Sequence, residues 1–267
     1  MAVFAKNGMC RRPVNYIFLV FILTILSPSF AVDGNTKVLN SPLFRPGEKL
    51  TYRAKWGVLP AGELTLEVLP MTTVKGVKAY HFAMVTRTNA AIDPIYRVRE
   101  RQDSYVDVGM THSILYTKRN EGQHPRDVVV DFDWKKLEAT RSNFGEKMAP
   151  VRLVSGSFDT LSLFYVIRLH DLRENRVIEI PITEGDNHIM VKATVAKRER
   201  IRIGEKGYDV FEVIPDMERL ESQKAVKKGD VPQLIIWFTA DDKKIPVKIQ
   251  SKVRIGYFTF ELSPIEP

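Results

Sequence analysis

The sequence has very little cysteine and no long apolar run beyond its N-terminal region, and these two absences exclude several classes of protein. A single cysteine, Cys10, cannot close an intramolecular disulfide, so a disulfide-stapled scaffold is excluded. No stretch after the N-terminal region approaches the ~20 apolar residues that a transmembrane helix needs. The composition, with 44% hydrophobic and 27% charged residues, is that of an ordinary globular protein.

Residues 1–31 have the pattern of a cleavable secretory signal peptide. A basic start is followed by an apolar run over 16–26, and small residues up to Ala31 suit a cleavage site. The apolar run is too short for a typical membrane span, although an uncleaved N-terminal anchor is the alternative interpretation. Cys10 precedes the run, so it cannot be a lipoprotein attachment site. We therefore predict a periplasmic or secreted protein that is not a lipoprotein and has no transmembrane span after cleavage.

Charge gives little information about partners. The chain has a formal net charge of +8, and the signal peptide contains three basic residues and no acidic ones, which leaves +5. A surplus of this size is typical of a solvated surface, and attraction to anionic envelope molecules is the alternative. Nucleic acid is not an expected partner of an exported protein.

From Glu48 onward, apolar and polar residues alternate with period two, and the sequence is rich in Val, Ile, Thr, Tyr and Phe. Short turns separate the alternating stretches, which favours successive antiparallel hairpins over crossover connections. We predict a mainly β fold in which a single long, curved antiparallel sheet forms an open or partly closed barrel. The predicted domain covers 42–265 and follows a flexible N-terminal segment over 32–41.

One segment breaks the alternation and predicts a buried helix at about 158–170. Hydroxyl and carboxylate side chains over 157–160 suit a helix start, and the residues that follow are apolar on nearly every side. Such a helix must be covered, so we place it on the concave side of the sheet, with Arg168 and His170 at its more solvated end. A second, polar helix or loop is expected over 217–228.

Recognisable catalytic motifs are missing from the sequence. The five histidines occur singly, without the spacing of zinc ligands, and there is no nucleotide-binding or nucleophile motif. We predict no metal and no cofactor. Asp131 and Asp133, at alternate positions of one strand, are candidates for paired acid and base chemistry, although a solvated strand face gives the same pattern.

The most suggestive cluster is Arg97, Arg99 and Arg101, which alternation places on one face of one strand. Guanidinium groups pair well with carboxylate, phosphate or sulfate, so this face is a candidate anion-binding site. Internal neutralisation by neighbouring acidic residues such as Asp131 and Asp133 is the competing interpretation.

Several short motifs together resemble an exported bacterial family known as domain of unknown function 3108. They occur in order over about residues 42–262, and they are PGEKLTY at 46–52 with Trp56 and Ala61-Gly62, YRVRER at 96–101 with YVD at 105–107, NEG at 120–122, DTLS at 159–162 with Tyr165 and Arg168, and IWFTADD at 236–242 with IPV at 245–247. The resemblance implies an exported, single-domain, mostly β protein. It implies no established activity and supplies no catalytic residues.

The curved sheet with a covering helix is similar in architecture to periplasmic lipoprotein carriers and receptors, which enclose an apolar cavity. We therefore expect a non-enzymatic module that binds a lipid, an acyl chain or another amphiphilic or anionic envelope molecule. The candidate ligand-binding residues are Arg97, Arg99, Arg101, Tyr165 and Trp237.

Two alternatives come from other functional classes. One is a scaffold that recruits envelope proteins through its sheet edges. The other is a glycan-acting enzyme that uses Asp131, Asp133 or Glu121, with sugar rings stacked on tryptophans such as Trp56, Trp134 and Trp237.

Overall fold

Alternating burial along the strands organises the structure, a computed structural model that describes residues 43–185, 188–219, 234–253 and 256–264. In β6, for example, Val128, Val130 and Phe132 are buried while the residues between them are half-buried, so one face of this strand contributes to the core. The signal peptide predicted over 1–31 and the segment 32–41 lie outside the described residues.

The elements follow one another with short connections. They are β1 (Lys49–Trp56), β2 (Leu59–Val74), β3 (Val77–Thr88), β4 (Arg99–Asp107), β5 (Ser113–Asn120), β6 (Arg126–Asp133), β7 (Glu138–Asn143), β8 (Glu146–Lys147), β9 (Val151–Arg152), α1 (Leu163–Leu169), β10 (Val177–Thr183), β11 (His188–Ile203), β12 (Lys206–Arg219), β13 (Leu234–Thr239), β14 (Pro246–Val253) and β15 (Gly256–Leu262).

These strands form one antiparallel sheet in the order β10-β11-β12-β13-β14-β15-β1-β2-β3-β4-β5-β6-β7-β8, and β9 also pairs with β7. The sheet does not close on itself, since β10 and β8 are its two ends. The prediction of a mainly β, incompletely closed barrel with one helix is therefore confirmed.

The segment before the helix connects β10 with the start of β5. Phe158 forms a parallel bridge with Ile182 of β10, and the N–H of Ser113 at the start of β5 donates to the carbonyl of Ser157. This bridge explains why α1 begins later than predicted: Phe158 has strand pairing, so the helix is confined to Leu163–Leu169.

The helix lies against the concave face of the sheet and contributes to the main core. Leu163, Val166 and Ile167 are buried, as expected for a helix with apolar residues on most sides. The prediction that Arg168 lies at a solvated end is wrong, because its side chain is only 1% exposed. The polar helix or loop expected over 217–228 begins with three residues that continue β12 instead, and its other residues lie outside the described part of the chain.

Successive turns lie at opposite ends of an antiparallel sheet, which gives this sheet two distinct ends. One end contains the β1–β2 turn, the β3–β4 loop and the β5–β6 and β7–β8 turns. The other contains the β2–β3, β4–β5, β6–β7 and β13–β14 turns, and we call it the anchored end because α1 is attached there. In the described part of the chain, no helix has the length and hydropathy of a transmembrane span.

Candidate functional site

A cavity of about 610 Å³ lies between α1 and the concave face of the sheet. Its volume is within the range of sites for small organic ligands. Strands from both halves of the sheet and the start of the helix segment line it: Met84, Gln102, Tyr116, Lys118, Arg126, Val128, Val130, Arg141, Thr160, Leu161, Leu163, Phe164, Ile182, Glu184, Ile189, Val191, Leu234 and Ser251.

The deep part of the cavity is apolar. Val128 and Val130 of β6 face Leu161 of the helix segment and Val191 of β11, and all four side chains are buried. The alternation of β6 and β11 explains this arrangement, since each strand directs every second side chain to the concave face. A surface of this kind favours hydrocarbon over a polar ligand.

The mouth of the cavity is basic. Arg126 is exposed at the first position of β6, directly after the β5–β6 turn, and Lys118 lies diagonally across from it on β5. Arg141 of β7 pairs in register with Val130 and donates to the backbone carbonyl of Glu184, 3.4 Å away. Three cations therefore line this region together with one carboxylate, that of Glu184. We call Lys118, Arg126 and Arg141 the basic mouth.

A chain of hydrogen bonds fixes one wall of the mouth. The Tyr116 hydroxyl donates to Gln102 at 2.8 Å, and the Gln102 amide donates to Glu100 at 2.6 Å. Glu100 in turn accepts the Lys118 ammonium at 3.1 Å. Burial raises the pKa of Tyr116 well above its usual value, so this hydroxyl remains a donor.

The arginine row predicted as an anion site lies elsewhere. Arg99 and Arg101 alternate with Gln102 and Ser104, which face the cavity and the helix segment, so the two arginines lie on the outer face. Arg97 is exposed and precedes β4. None of the three lines the cavity.

Arg99 and Arg101 have acidic partners, in agreement with the alternative of internal neutralisation. The partners are not the suggested residues Asp131 and Asp133. Arg99 pairs with Asp93 in the β3–β4 loop, and Arg101 forms two hydrogen bonds with Asp103. Burial opposes ionisation of Asp103, yet hydrogen bonds from His81 and Arg101 hold the pKa of this carboxyl below its usual value.

The two predicted aromatic ligand residues are also engaged within the fold. Tyr165 is buried in an aromatic cluster, stacked on Phe82 at 3.8 Å and edge-on to Phe44 at 5.5 Å. Trp237 is buried on the other side of β13, where its indole N–H donates to Glu199 at 3.0 Å. Neither side chain lines the cavity.

Two of the three carboxylates of the enzyme alternative, Asp131 and Asp133, lie on the outer face of β6, and Glu121 is exposed in the β5–β6 turn. Asp131 pairs with Lys75, and Asp133 accepts the backbone N–H groups of Lys135 and Lys136 in the β6–β7 turn. These turn hydrogen bonds are the main cause of the lowered pKa of Asp133. Both carboxylates therefore have structural partners, and neither lines the cavity.

Asp159 anchors the start of the helix segment to the sheet. One carboxylate oxygen accepts the Ser104 and Ser113 hydroxyls at 2.6 Å each, and the other accepts the N–H groups of Leu161 and Ser162 at 2.9 Å each. These bonds satisfy backbone donors at the beginning of the turn that leads into α1. Asp159 therefore caps the turn that precedes the helix, in agreement with the capping side chains expected over 157–160, whereas Ser162 at the N-cap position makes no side-chain capping bond.

Asp159 makes the stability of the protein depend on pH. Burial raises its pKa, although its four hydrogen bonds act in the opposite direction. Because the folded-state pKa is the higher one, the contribution of Asp159 is fully present below about pH 4 and is lost as the pH rises through the raised value. We expect the wild type to be more stable relative to Asp159→Asn at acidic pH than at neutral pH. The difference between their free energies of unfolding therefore decreases as the pH rises. Urea unfolding of both proteins at a series of pH values measures this difference, and a difference that rises with pH would contradict it.

Arg168 attaches the other end of the helix. Its guanidinium donates to both oxygens of Glu48, at 2.6 and 3.1 Å, and to the carbonyl of Lys243 at 3.1 Å. The rings of Phe44 and Tyr165 lie 5.0 and 5.9 Å from it. Nearly complete burial of a charged side chain is tolerated because its donors are paired and its positive charge faces aromatic rings.

Comparison with known proteins assigns this architecture to a family. The family model described as Protein of unknown function (DUF3108) matches residues 51–263. The chain belongs to the DUF3108 family. This confirms the resemblance found in the sequence.

A solved structure shares the fold of this DUF3108 protein. It is the crystal structure of a beta-barrel-like protein of domain of unknown function DUF1849 from Brucella abortus, with a TM-score of 0.51 and 8% sequence identity over 80% of this chain and 94% of that chain. At this identity the similarity concerns the fold alone. No curated protein matches the chain.

The residues that carried the DUF3108 resemblance hold the fold together. A side chain at Gly62 would place its Cβ 2.0 Å from the carbonyl oxygen of Arg87, and one at Gly122 would lie 2.2 Å from that of Arg97. Asp241 closes the β13–β14 turn by accepting the Thr239 hydroxyl and the Lys244 N–H. Asp159 and Arg168 attach the helix segment, as described above. The basic mouth lies outside these motifs.

Proposed function

We propose that this protein is a non-enzymatic module that binds an amphiphile with an acyl chain and an anionic head group. The observation that supports the proposal is the cavity between α1 and the sheet, which is apolar at depth and basic at its mouth. An acyl chain in the apolar part gains about 0.8 kcal/mol for each methylene removed from water. The carboxylate or phosphate of the head group then pairs with the basic mouth.

We also propose that the protein acts in the periplasm or after secretion, in keeping with the signal-peptide pattern of 1–31. A lipid-binding role suits that compartment because envelope amphiphiles must cross an aqueous space. The engagement of Asp131 and Asp133 in structural contacts makes binding preferable to the glycan-enzyme alternative.

A direct test uses palmitate as the probe and a matched pair of substitutions in β6. Val128→Trp fills part of the cavity, whereas Val129→Trp adds the same side chain to the opposite face of the same strand. We expect palmitate affinity, measured by calorimetric titration of the delipidated chain, to fall at least about tenfold in Val128→Trp only. Equal affinity in the two variants, or no palmitate binding by the wild type, contradicts the proposal.

The same titration tests the head-group role of the basic mouth. Arg126→Glu reverses a charge at the mouth, and Arg119→Glu makes the same change on the exposed outer face of neighbouring β5. We expect Arg126→Glu to weaken palmitate binding about tenfold while leaving hexadecanol, which has the same hydrocarbon chain and no charge, unaffected. Equal losses for both ligands would contradict recognition of the anionic group.

A further inference from the structure

Exposed apolar side chains project from several turns at the end of the sheet where the cavity opens. Val58 at the β1–β2 turn is 91% exposed and Phe144 at the β7–β8 turn is 64% exposed. Leu59, Ile95, Tyr96 and Tyr257 are exposed at the same end. We call these six residues the apolar rim.

The apolar rim is at the mouth end because of the strand directions. Arg126 of the basic mouth begins β6 directly after the β5–β6 turn, and Glu184 directly follows β10. The turns that carry Val58 and Phe144 lie at this same end of the antiparallel sheet. The rim and the cavity opening therefore share one end of the fold.

Neighbouring parts of the rim are held together by specific contacts. The N–H of Gly57 donates to the carbonyl of Tyr257 at 3.1 Å, and Trp56 stacks on Phe258 with ring centroids 6.1 Å apart. Tyr96 of the β3–β4 loop lies 5.9 Å from the ring of His124 in the β5–β6 turn. The exposed side chains thus project from a braced set of turns.

We propose that the apolar rim docks the protein on a lipid bilayer and presents the cavity mouth to it. Aromatic and aliphatic side chains on projecting tips suit the boundary between head groups and acyl chains, where tyrosine and tryptophan are favoured. The proposal rests on the proposed function, because an acyl chain that passes through water exposes each of its methylenes at a cost in free energy, and docking removes that exposure. The anchored end has exposed apolar residues too, such as Val108 and Leu137, but they are aliphatic and lie away from the mouth.

The test compares two double variants that are matched in residue type and turn geometry. Val58→Asp with Phe144→Asp changes the rim, and Val108→Asp with Leu137→Asp changes the anchored end. Phe144 and Leu137 both have positive φ, 49° and 55°, a conformation that aspartate tolerates well. Vesicles of phosphatidylethanolamine and phosphatidylglycerol, without palmitate, serve as the probe in a flotation assay.

We expect the wild-type chain and the anchored-end variant to float with vesicles, and the rim variant to bind them at least about tenfold more weakly. Retained palmitate binding in solution shows that the rim variant is folded and that its cavity works. Equal flotation of the two variants overturns docking through the rim. A wild type that binds palmitate but no vesicles also overturns docking while leaving the proposed function intact. Docking is likewise overturned if the wild type is a dimer and the rim substitutions convert it to a monomer that does not float with vesicles.

Discussion

Replacing Glu48 by alanine is expected to destabilise the protein by about 3–5 kcal/mol, because the substitution leaves the buried Arg168 guanidinium without its carboxylate. The Lys243 carbonyl and two aromatic rings remain near Arg168, but none of them carries a full negative charge. The loss is a large part of the 5–15 kcal/mol that stabilises a typical domain. Urea unfolding followed by circular dichroism measures it.

A matched control is available at an ion pair formed by β1 itself, whereas Glu48 directly precedes this strand. Lys55 and Glu261 are 2.6 Å apart, the same distance as the closest Arg168–Glu48 contact, but the Lys55 side chain is 41% exposed. Glu261→Ala is therefore expected to cost less than about 1 kcal/mol. Similar costs for Glu48→Ala and Glu261→Ala would contradict the importance of burial. The double variant Glu48→Leu with Arg168→Met should recover much of the lost stability, since it removes both charges together.

Arg168 also shows where sequence reasoning about this fold fails. An arginine near the end of an apolar helix suggests contact with water, because a buried guanidinium is costly without a partner. Its partner Glu48 is 120 residues away in the chain, and only the packing of α1 against the start of β1 brings the two together. The residues next to Arg168 in the sequence therefore do not indicate that it pairs with Glu48.

The sheet itself was predictable because its signal is local. The bounds of β1, Lys49–Trp56, agree with the alternating stretch seen in the sequence. The strands between 138 and 152 are short, and two of them have only two residues, so they give no measurable alternation. The late start of α1 was unpredictable for the same reason as the Glu48 pairing, since the bridge of Phe158 to Ile182 is a tertiary contact.

The sequence contains an indication of the basic mouth, but the arginine row over 97–101 is more conspicuous. Three arginines at alternate positions are conspicuous, yet Arg97 precedes β4, and Arg99 and Arg101 share their face with the carboxylate Asp103 and no buried apolar residue. Arg126, in contrast, is in phase with Val128, Val130 and Phe132, so it is a cation on an apolar strand face. Such a residue must lie where a core meets water or a ligand, which is the position that Arg126 occupies. Alternation within each strand can reveal these cations, but only the tertiary structure shows that three strands bring them to one cavity.

Substitution of Gly62 by alanine is expected to be comparably severe, with a cost of about 2–6 kcal/mol. Gly62 has φ +149°, a conformation that residues with a side chain rarely adopt, and this strain alone costs about 1–3 kcal/mol. The added Cβ would also lie 2.0 Å from the Arg87 carbonyl oxygen and 2.8 Å from the Thr88 Cα. Both neighbours are backbone atoms of β3, so the collision is relieved only if the paired strands β2 and β3 move apart. This overpacking costs about 1–3 kcal/mol more.

The substitution Gly204→Ala is a control for the contribution of backbone strain. Gly204 lies in the turn between β11 and β12 at φ +58°, and nothing lies within 4 Å of the position of an added Cβ. Gly204→Ala should therefore cost only about 1–2 kcal/mol from the backbone conformation. The excess for Gly62→Ala reports the collision with β3 together with the additional strain of φ +149°. Equal losses in urea unfolding would show that the sheet accommodates the extra methyl group. An excess of the expected size would explain, from the backbone conformation and the close backbone contact, why the Ala61-Gly62 pair belongs to the motifs that identify this fold.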